Sequence, residues 1–309
     1  MNLQQFRFLR EIARQKFSLT AAAAALHTSQ PAMSKAMMEL EGELGVPILA
    51  RHGRRVLGLT PPGQQVLSAA EAIVAEIDRL KKLARDYSGS PEGTLRVATT
   101  HTQARYVLPS VVSEFVAKYP AVRLKLLEAN PTQIAAMLVN GEADLGIATE
   151  SLADSPGLLS IPVYEWQHIV CVPAGHPLGQ FIKKPETLTL KDLARFPIVT
   201  YETHFAGRSK IDAAFAAAGI EPNIVLEALD ADVIKTYVGV GLGIGIVAGM
   251  AVDPPRDGLV ALPCGHLFGA NVARLAVKQG TYQRGFVYAF VEMLVPGWDK
   301  RRLQEALGQ

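Results

Sequence analysis

Within the seven residues from Ser29 to Lys35, Ser29, Gln30, Ser34 and Lys35 could read a nucleic acid. A glutamine amide can meet adenine with two hydrogen bonds, and a lysine can reach guanine or a phosphate. Further on, Arg51, Arg54 and Arg55 surround Gly53 between apolar flanks, a basic tip suited to phosphates or to a narrow minor groove. A second cluster lies at Ala98-Thr99-Thr100-His101-Thr102-Gln103. There the chain leaves a predicted strand and enters a predicted helix. The hydroxyls of Thr100 and Thr102, the amide of Gln103 and the helix N-terminus converge as an anion site. Thr149, at the end of another predicted strand, belongs at the same edge. Ordinary helix capping by Thr or Gln accounts for the same pattern.

Other chemistries lack their residues. The seven histidines (27, 52, 101, 168, 176, 204 and 266) are scattered, and neither Cys171 nor Cys264 has a partner at metal-ligand spacing. No Gly-x-Ser-x-Gly elbow and no phosphate loop ending in Gly-Lys-Ser/Thr occurs. Gly243-Ile-Gly245-Ile-Val-Ala248 fits a dinucleotide fingerprint in letters but not in order. Its glycines follow a predicted helix and enter an apolar run, whereas a fingerprint follows a strand and opens a helix. These glycines are expected to serve tight turning or close approach. No cofactor, metal or catalytic set is expected.

The elements that must position these residues follow from periodicity. Leu3, Phe6, Leu9, Ala13 and Phe17 recur at helical steps over 2–16. Ser18 caps a second helix through Leu26, with Leu19, Ala22, Ala23 and Leu26 on one face. After a turn at His27-Thr28, Ser29 caps a third helix with Pro31 in its first turn, where its missing N–H is harmless. Met33, Met37, Leu40 and Leu44 form its buried stripe, and Gly45 ends it. Two helices joined by a tight turn behind a leading helix make a helix-turn-helix whose second helix presents Gln30, Ser34 and Lys35. A hairpin tipped by Gly53 adds a wing. Thr60-Pro61 starts a long helix to about Tyr87. In it, Val66, Ala70, Ile73, Ile77, Leu80, Ala84 and Tyr87 keep the spacing of a seam between two helices, which predicts dimerisation. Ser88–Gly93 reads as a hinge.

From Thr94 strands and helices alternate: strands at Leu95–Thr100, Val122–Glu128, Asp144–Thr149, His168–Val172, Ile198–Tyr201, Asn223–Leu229, Gly245–Val247 and Ala273–Val277. The intervening helices include Gln103–Lys118, Thr132–Asn140, Arg208–Ala218, Asp232–Gly239 and Tyr282–Leu294. This predicts a parallel α/β layout in two small lobes with a ligand cleft between them.

Composition limits the alternatives. The 309 residues suffice for two or three domains, and 49% hydrophobic against 19% charged residues excludes wholesale disorder. No apolar run is long enough to span a membrane, and the charged N-terminal helix is no signal peptide, so a cytoplasmic protein is expected. The net charge is only +2, but residues 1–58 carry eight Lys or Arg against four acids. The basic excess therefore lies where the DNA-reading residues are. A stand-alone solute-binding protein would use the same two lobes but leaves residues 1–88 without a role. An enzyme in the cleft lacks a catalytic set.

The ordered motifs resemble the LysR-type transcriptional regulators over essentially the whole chain. Ala23-Ala24-Ala25-Leu26-His27-Thr28-Ser29-Gln30-Pro31-Ala32-Met33-Ser34 is similar to their helix-turn-helix signature. Leu40-Glu41-Gly42-Glu43-Leu44-Gly45 and Leu59-Thr60-Pro61-Pro62-Gly63 are similar to their next landmarks. The runs Thr99–Tyr106, Pro131–Ile134 and Asp230–Tyr237 resemble one branch, the CysB-like regulators of sulfur assimilation. The resemblance implies a winged helix-turn-helix (1–59), a dimerising linker helix (60–88), a hinge (89–93) and a two-lobed α/β effector domain of periplasmic-binding-protein type (94–309). Lobe I would span about 94–163 and 268–295, and lobe II about 164–267. It also implies tetramers built as dimers of dimers, promoter DNA and RNA polymerase as partners, control of genes for cysteine synthesis or for sulfate or sulfonate use, and acetylserine or sulfur anions as effectors. Ser29, Gln30, Pro31, Ser34, Lys35, Arg51, Arg54 and Arg55 would face DNA. Val66, Ile73, Ile77 and Leu80 would form the dimer seam. Thr100, Thr102, Gln103, Thr149 and Trp166 would line the effector cleft. One departure is Glu202, which stands where the family pattern carries threonine. Either Glu202 turns to solvent and Thr203 or backbone N–H groups replace the threonine, or Glu202 meets the ammonium of a zwitterion such as O-acetylserine.

Overall fold

The structure, a computed structural model, describes residues 1–53, 55–87, 92–149, 152–203, 205 and 207–308; side chains at 75, 78, 79 and 81–87 lie outside that description. Arg54 and the expected hinge residues Ser88–Pro91 are therefore outside it. The chain forms two compact units, Met1–Gly89 and Ser90–Gln309.

The first unit contains α1 (Leu3–Arg14), α2 (Leu19–Ala25), α3 (Gln30–Leu44), β1 (Leu49–His52), β2 (Arg55–Leu59) and α4 (Pro61–Tyr87). Local chemistry sets its boundaries. Asn2 and Gln5 exchange side-chain bonds to each other's backbone N–H at 3.0 and 2.8 Å and start α1. Ser18 and Ser29 each accept a bond from the backbone N–H three residues on, at 3.3 Å. Gly45 closes α3 in the left-handed conformation, φ 70°. Phe6, Leu9, Ile12, Ala22, Ala23, Met33, Met37 and Leu40 pack into one core with Ile48 and Val56 of the hairpin. Leu44, expected inside, is 37% exposed.

The long helix is fixed to the hairpin at its first turn. Thr60 N–H donates to the Ile48 carbonyl at 2.9 Å, and Gly63 N–H donates to Thr60 Oγ1 at 3.0 Å. A Cβ on Gly63 would lie 2.1 Å from the Ile48 carbonyl oxygen, so only glycine fits there. Beyond that turn the expected single seam divides. Ala70 and Val74 are fully buried in the unit's own core, with Val66 packed against it, whereas Ile73 and Leu80 are 42% and 57% exposed. At 3.6 residues per turn Ile73 and Leu80 lie about 60° and 80° around the helix from Ala70, so a domain that packs against Ala70 and Val74 leaves both on the flank.

In the second unit, lobe I begins with β3 (Gly93–Thr99), α5 (His101–Tyr106), α6 (Leu108–Lys118), β4 (Val122–Glu128), α7 (Pro131–Val139) and β5 (Leu145–Ala148). The 16-residue β6 (Leu158–Pro173) leads out of it. Lobe II holds α8 (Leu190–Leu193), β7 (Ile198–Tyr201), α9 (Arg208–Ala217), β8 (Ile224–Ala228), α10 (Ala231–Gly239), β9 (Ile244–Ala248), α11 (Pro254–Asp257), β10 (Leu259–Pro263) and α12 (Gly265–Phe268). The chain returns through β11 (Ala270–Lys278) to α13 (Gly285–Leu294) and α14 (Lys300–Ala306). Strand order is β4-β3-β5-β11-β6-β9-β7-β8, with β10 also on β6.

Three sequence expectations change. The sheet is not all parallel: β3 with β4 and β5, and β7 with β8 and β9, are parallel, but β6, β10 and β11 pair antiparallel. Of these, β6 and β11 carry the chain between lobes without a helical crossover, so they run reversed, and β10 pairs with the lobe II end of β6. Leu158–Gln167 of β6 pairs with β11, and His168–Cys171 pairs with β9, so the lobes divide inside this strand. The helix expected over Gln103–Lys118 breaks at Val107. Pro109 has no N–H for the Arg105 carbonyl, and its ring crowds that carbonyl, so the helical ladder is interrupted there. Finally, α14 adds Leu303 and Leu307 to the lobe I core, beyond the expected limit at 295. Among the described residues no helix is long and apolar enough to cross a membrane.

Candidate functional site

In the second unit, one cavity collects the ends of parallel strands from both lobes. Thr100 follows β3 and Thr149 follows β5, adjacent parallel strands in register at Thr99 and Ile147. Tyr201 ends β7 and Ala248 ends β9, its parallel neighbour. Carboxyl ends of parallel strands are where open α/β sheets place ligands. The cavity is narrow, about 20 Å³. Thr100, Thr102, Gln103, Thr149 and Trp166, all expected, line it with His101, Tyr201, Phe205, Leu229, Ala248 and Met250.

Its polar groups are organised from behind. Thr100 caps α5 by backbone geometry, and its hydroxyl makes no capping bond. Because α5 has only six residues, its dipole is short, and the side-chain donors matter more than the sequence implied. Tyr164 Oη donates to Gln103 Oε1, which fixes the amide and leaves Nε2 as its other group. Burial raises the Tyr164 pKa to about 12, so this hydroxyl remains a donor. Tyr201 Oη accepts from Ala248 N–H at 3.1 Å, and Thr102 of the other lobe lines the same cavity. Trp166 is 7% exposed, and its Nε1–H has no partner among the described residues. A buried donor without a partner costs about 1–3 kcal/mol, a cost that a ligand acceptor would remove.

Among the described residues, no lysine or arginine lines the cavity. His101 Nδ1 lies 3.0 Å from Glu128 Oε2, and Nε2 lies 3.5 Å from Asp232 Oδ2. Burial alone would lower its pKa, but these carboxylates and Asp230 outweigh burial and raise it. Next to it a polar network joins the lobes. Tyr106 Oη donates to Asp232 Oδ1 at 2.7 Å, and Lys235 Nζ donates to Tyr106 Oη at 3.0 Å. Arg105 pairs with Asp232 at 2.9 Å, and Lys235 pairs with Asp257 at 3.0 Å. Two runs far apart in sequence, 99–106 and 230–237, thus meet at the cleft.

Glu202 and Thr203 are not among the lining residues. Tyr201 faces the cavity, and strand alternation sends the next residue to the other side. Glu202 is half-buried, its backbone N–H donating to the Ala228 carbonyl at 3.0 Å, and Thr203 is exposed. The ends of β7 and β9 could have disclosed Tyr201 and Ala248. Phe205, Leu229 and Met250 sit in connections, where nothing in the sequence marks them. The glycines of the false fingerprint serve close approach: a Cβ at Gly243 would lie 2.3 Å from the Pro197 carbonyl, and one at Gly245 2.5 Å from Cys171 Sγ.

The first unit places Ser29, Gln30, Pro31 and Lys35 on exposed surface at the start of α3, with Ser34 half-buried. Gln30 lines an open depression of about 340 Å³ with Arg55, Lys16, Ser18 and Thr20. Lys16, which the sequence reading did not single out, thereby joins the basic residues of the wing. Arg51 is engaged by Glu41 at 3.3 Å and Lys35 by Glu39 at 3.8 Å.

Residues 3–64 match the model of the bacterial regulatory helix-turn-helix protein, lysR family, and residues 88–299 match the LysR substrate binding domain. The chain is 53% identical over 308 residues to the HTH-type transcriptional regulator CysB of Burkholderia cenocepacia, covering 99% of this chain and 97% of that protein. It is 50% identical to the HTH-type transcriptional regulator SsuR of the same organism, covering 96% and 95%. The crystal structure of the cofactor-binding domain of the Cbl transcriptional regulator superposes with a TM-score of 0.65 at 44% identity, covering 70% of this chain and 93% of that one.

Proposed function

This chain belongs to the LysR family of bacterial helix-turn-helix regulators, and on that premise we propose that a small anion or zwitterion in the cleft controls how the first unit engages promoter DNA. The protein is a CysB-, SsuR- and Cbl-like transcriptional regulator of sulfur-related genes with an effector-binding domain. Thr100, Thr102, Gln103 and Thr149 supply neutral donors to the effector. The observation that carries this reading is the buried Trp166 N–H, without a partner among the described residues, on the wall of a cavity that also presents hydroxyls and an amide. Sulfate offers only acceptors, and O-acetylserine offers a carboxylate; both suit that set. The position of Glu202 outside the lining supports the acceptor end as the recognised part.

On the DNA side, Gln30, Ser34 and Lys35 read base edges, and Ser29, Pro31, Arg51, Arg54 and Arg55 position the backbone. The exposed start of α3 and the depression joining Gln30 to Arg55 support this assignment. Ile73, Ile77 and Leu80 form the seam between two copies, with Val66 at its edge. Exposed Ile73 and Leu80, on the flank of α4 beside its own core, support that seam. Homotetramers, contact with RNA polymerase and a cytoplasmic location complete the reading. Gel mobility shifts on promoter fragments, with and without sulfate or O-acetylserine, test it. Retarded complexes whose mobility or affinity responds to either compound are expected. Binding indifferent to both would remove them as effectors.

A further inference from the structure

Directly behind the cavity, and not lining it, lies a histidine that touches several of its walls. His168 is the first residue of β6 to pair with lobe II. It is fully buried, and its Nε2 has no partner among the described residues. Its ring stands edge-on to Trp166, centroids 5.0 Å apart at 65°, and to Phe268 at 5.5 Å and 76°. Nδ1 lies 3.4 Å from Asn271 Nδ2, so it acts as the acceptor and Nε2 carries the proton. The backbone is held as well: Cys264 Sγ donates to the His168 carbonyl at 3.2 Å, and His168 is in register with Ala248, a lining residue.

The same ring sets the turn before α9. Gly207 has φ 83°, and a Cβ there would lie 2.3 Å from His168 Nε2 and 2.9 Å from the Trp166 ring. Gly207 follows Phe205, which lines the cavity, by two residues. The Trp166 ring and Gly207 therefore rest on one imidazole, and Ala248 pairs with its backbone. We propose that His168 is a positioning residue: without touching the effector, it holds the Trp166 indole and the Gly207 turn in the geometry the effector requires. The ring does this as a neutral, flat spacer. Burial and the nearby Lys210 ammonium push its pKa down to about 4, so it carries no charge at physiological pH. Its polar function is one bond to Asn271, and its larger contribution is shape.

The inference rests on the cavity being the effector site, but its position as a spacer can be read without a ligand. Trp166 and Trp298 are the chain's two tryptophans, so a Trp298→Phe background isolates the Trp166 emission. His168→Ala in that background should shift the emission and increase acrylamide quenching. It should also weaken sulfate or O-acetylserine binding at least tenfold by calorimetry, with affinity for promoter DNA without ligand within twofold of wild type. His168→Phe, which keeps a flat ring, should restore the indole signal and most of the affinity; a role confined to the Asn271 bond would not be rescued by it. If the Ala variant does not fold, His168→Gln serves, retaining bulk and polarity without the ring face. Unchanged quenching and affinity in the Ala or Gln variant would overturn the proposal, as would a Phe variant as defective as either. If wild type binds neither compound, the effector reading fails, and the fluorescence comparison alone decides whether His168 positions the indole.

Discussion

The hydroxyl of Tyr106 in lobe I donates to Asp232 in lobe II at 2.7 Å while accepting from Lys235 at 3.0 Å. One phenol thus completes the surroundings of a lysine that is 7% exposed and already paired with Asp232 and Asp257 at 3.2 and 3.0 Å. Tyr106→Phe removes a single hydrogen-bonding group and leaves the ion pairs. The loss, about 1–3 kcal/mol, falls on the contact between lobes and not on either core. Hydrogen exchange should accelerate in α5 and α10 with the sheet amides unchanged. Uniform exchange in both proteins would show that this contact does not hold the lobes.

On DNA, Gln30→Ala and Arg55→Ala should differ in kind. Loss of a base-reading amide costs about 1–3 kcal/mol at the preferred sequence and little elsewhere. Loss of a phosphate contact weakens all duplexes and lowers the salt slope by about 1. Fluorescence anisotropy on promoter and random duplexes at several salt concentrations separates them. Parallel losses in both variants on both duplexes would undo the assignment.

Ile77→Asp places a charge in the proposed seam. Sedimentation should show a smaller species than wild type, with weaker promoter binding because two half-sites are no longer linked. Unchanged sedimentation would put the interface on another surface.

For the effector, Thr100→Ala and Thr102→Val each remove a hydroxyl from the lining. Each should weaken binding by about 1 kcal/mol, roughly fivefold. Glu202→Thr, outside the lining, should leave the affinities for sulfate and O-acetylserine within twofold. A gain in sulfate affinity there would bring Glu202 into the site.

Two histidines should give stability opposite dependences on pH. His101 has a folded pKa raised above 6.5. Its contribution is complete below pH 6.5 and disappears as pH rises through the raised value. His168 has a folded pKa lowered to about 4. Its contribution is present above pH 6.5 and is lost as pH falls toward 4, a change of about 3 kcal/mol at 1.36 kcal/mol per unit. Urea melts of the whole chain between pH 4 and 9 check both. His101→Gln should flatten the alkaline decline, and His168→Phe should flatten the acid decline.

What the sequence made legible follows the range over which each signal acts. Caps such as Ser18 and Ser29, and the alternation in β4, are local and placed those elements within a residue or two. The five expected lining residues at Thr100, Thr102, Gln103, Thr149 and Trp166 rested on a long motif match and on strand ends. The antiparallel strands β6 and β11 were not legible, because an apolar run does not encode the direction of its partner. Nor was the splitting of the α4 seam, since Ala70 and Ile73 carry the same period until a domain packs against one of them. Where Glu202 faces stayed open in the sequence because a motif position specifies a residue type, while alternation about Tyr201 decides where the side chain points.

The contact between Gly63 and the Ile48 carbonyl has a mechanical consequence. With no side chain between them, the first turn of α4 and the hairpin move as one solid piece, so the helix acts as a lever and not as a tether. Its 27 residues make an arm of about 40 Å at 1.5 Å per residue. A tilt of roughly 5° at one end displaces the other by about 3.5 Å, close to the 3.4 Å step between base pairs. Leverage on that scale would let an angular change too small to disturb any core move the wing by one position along a groove.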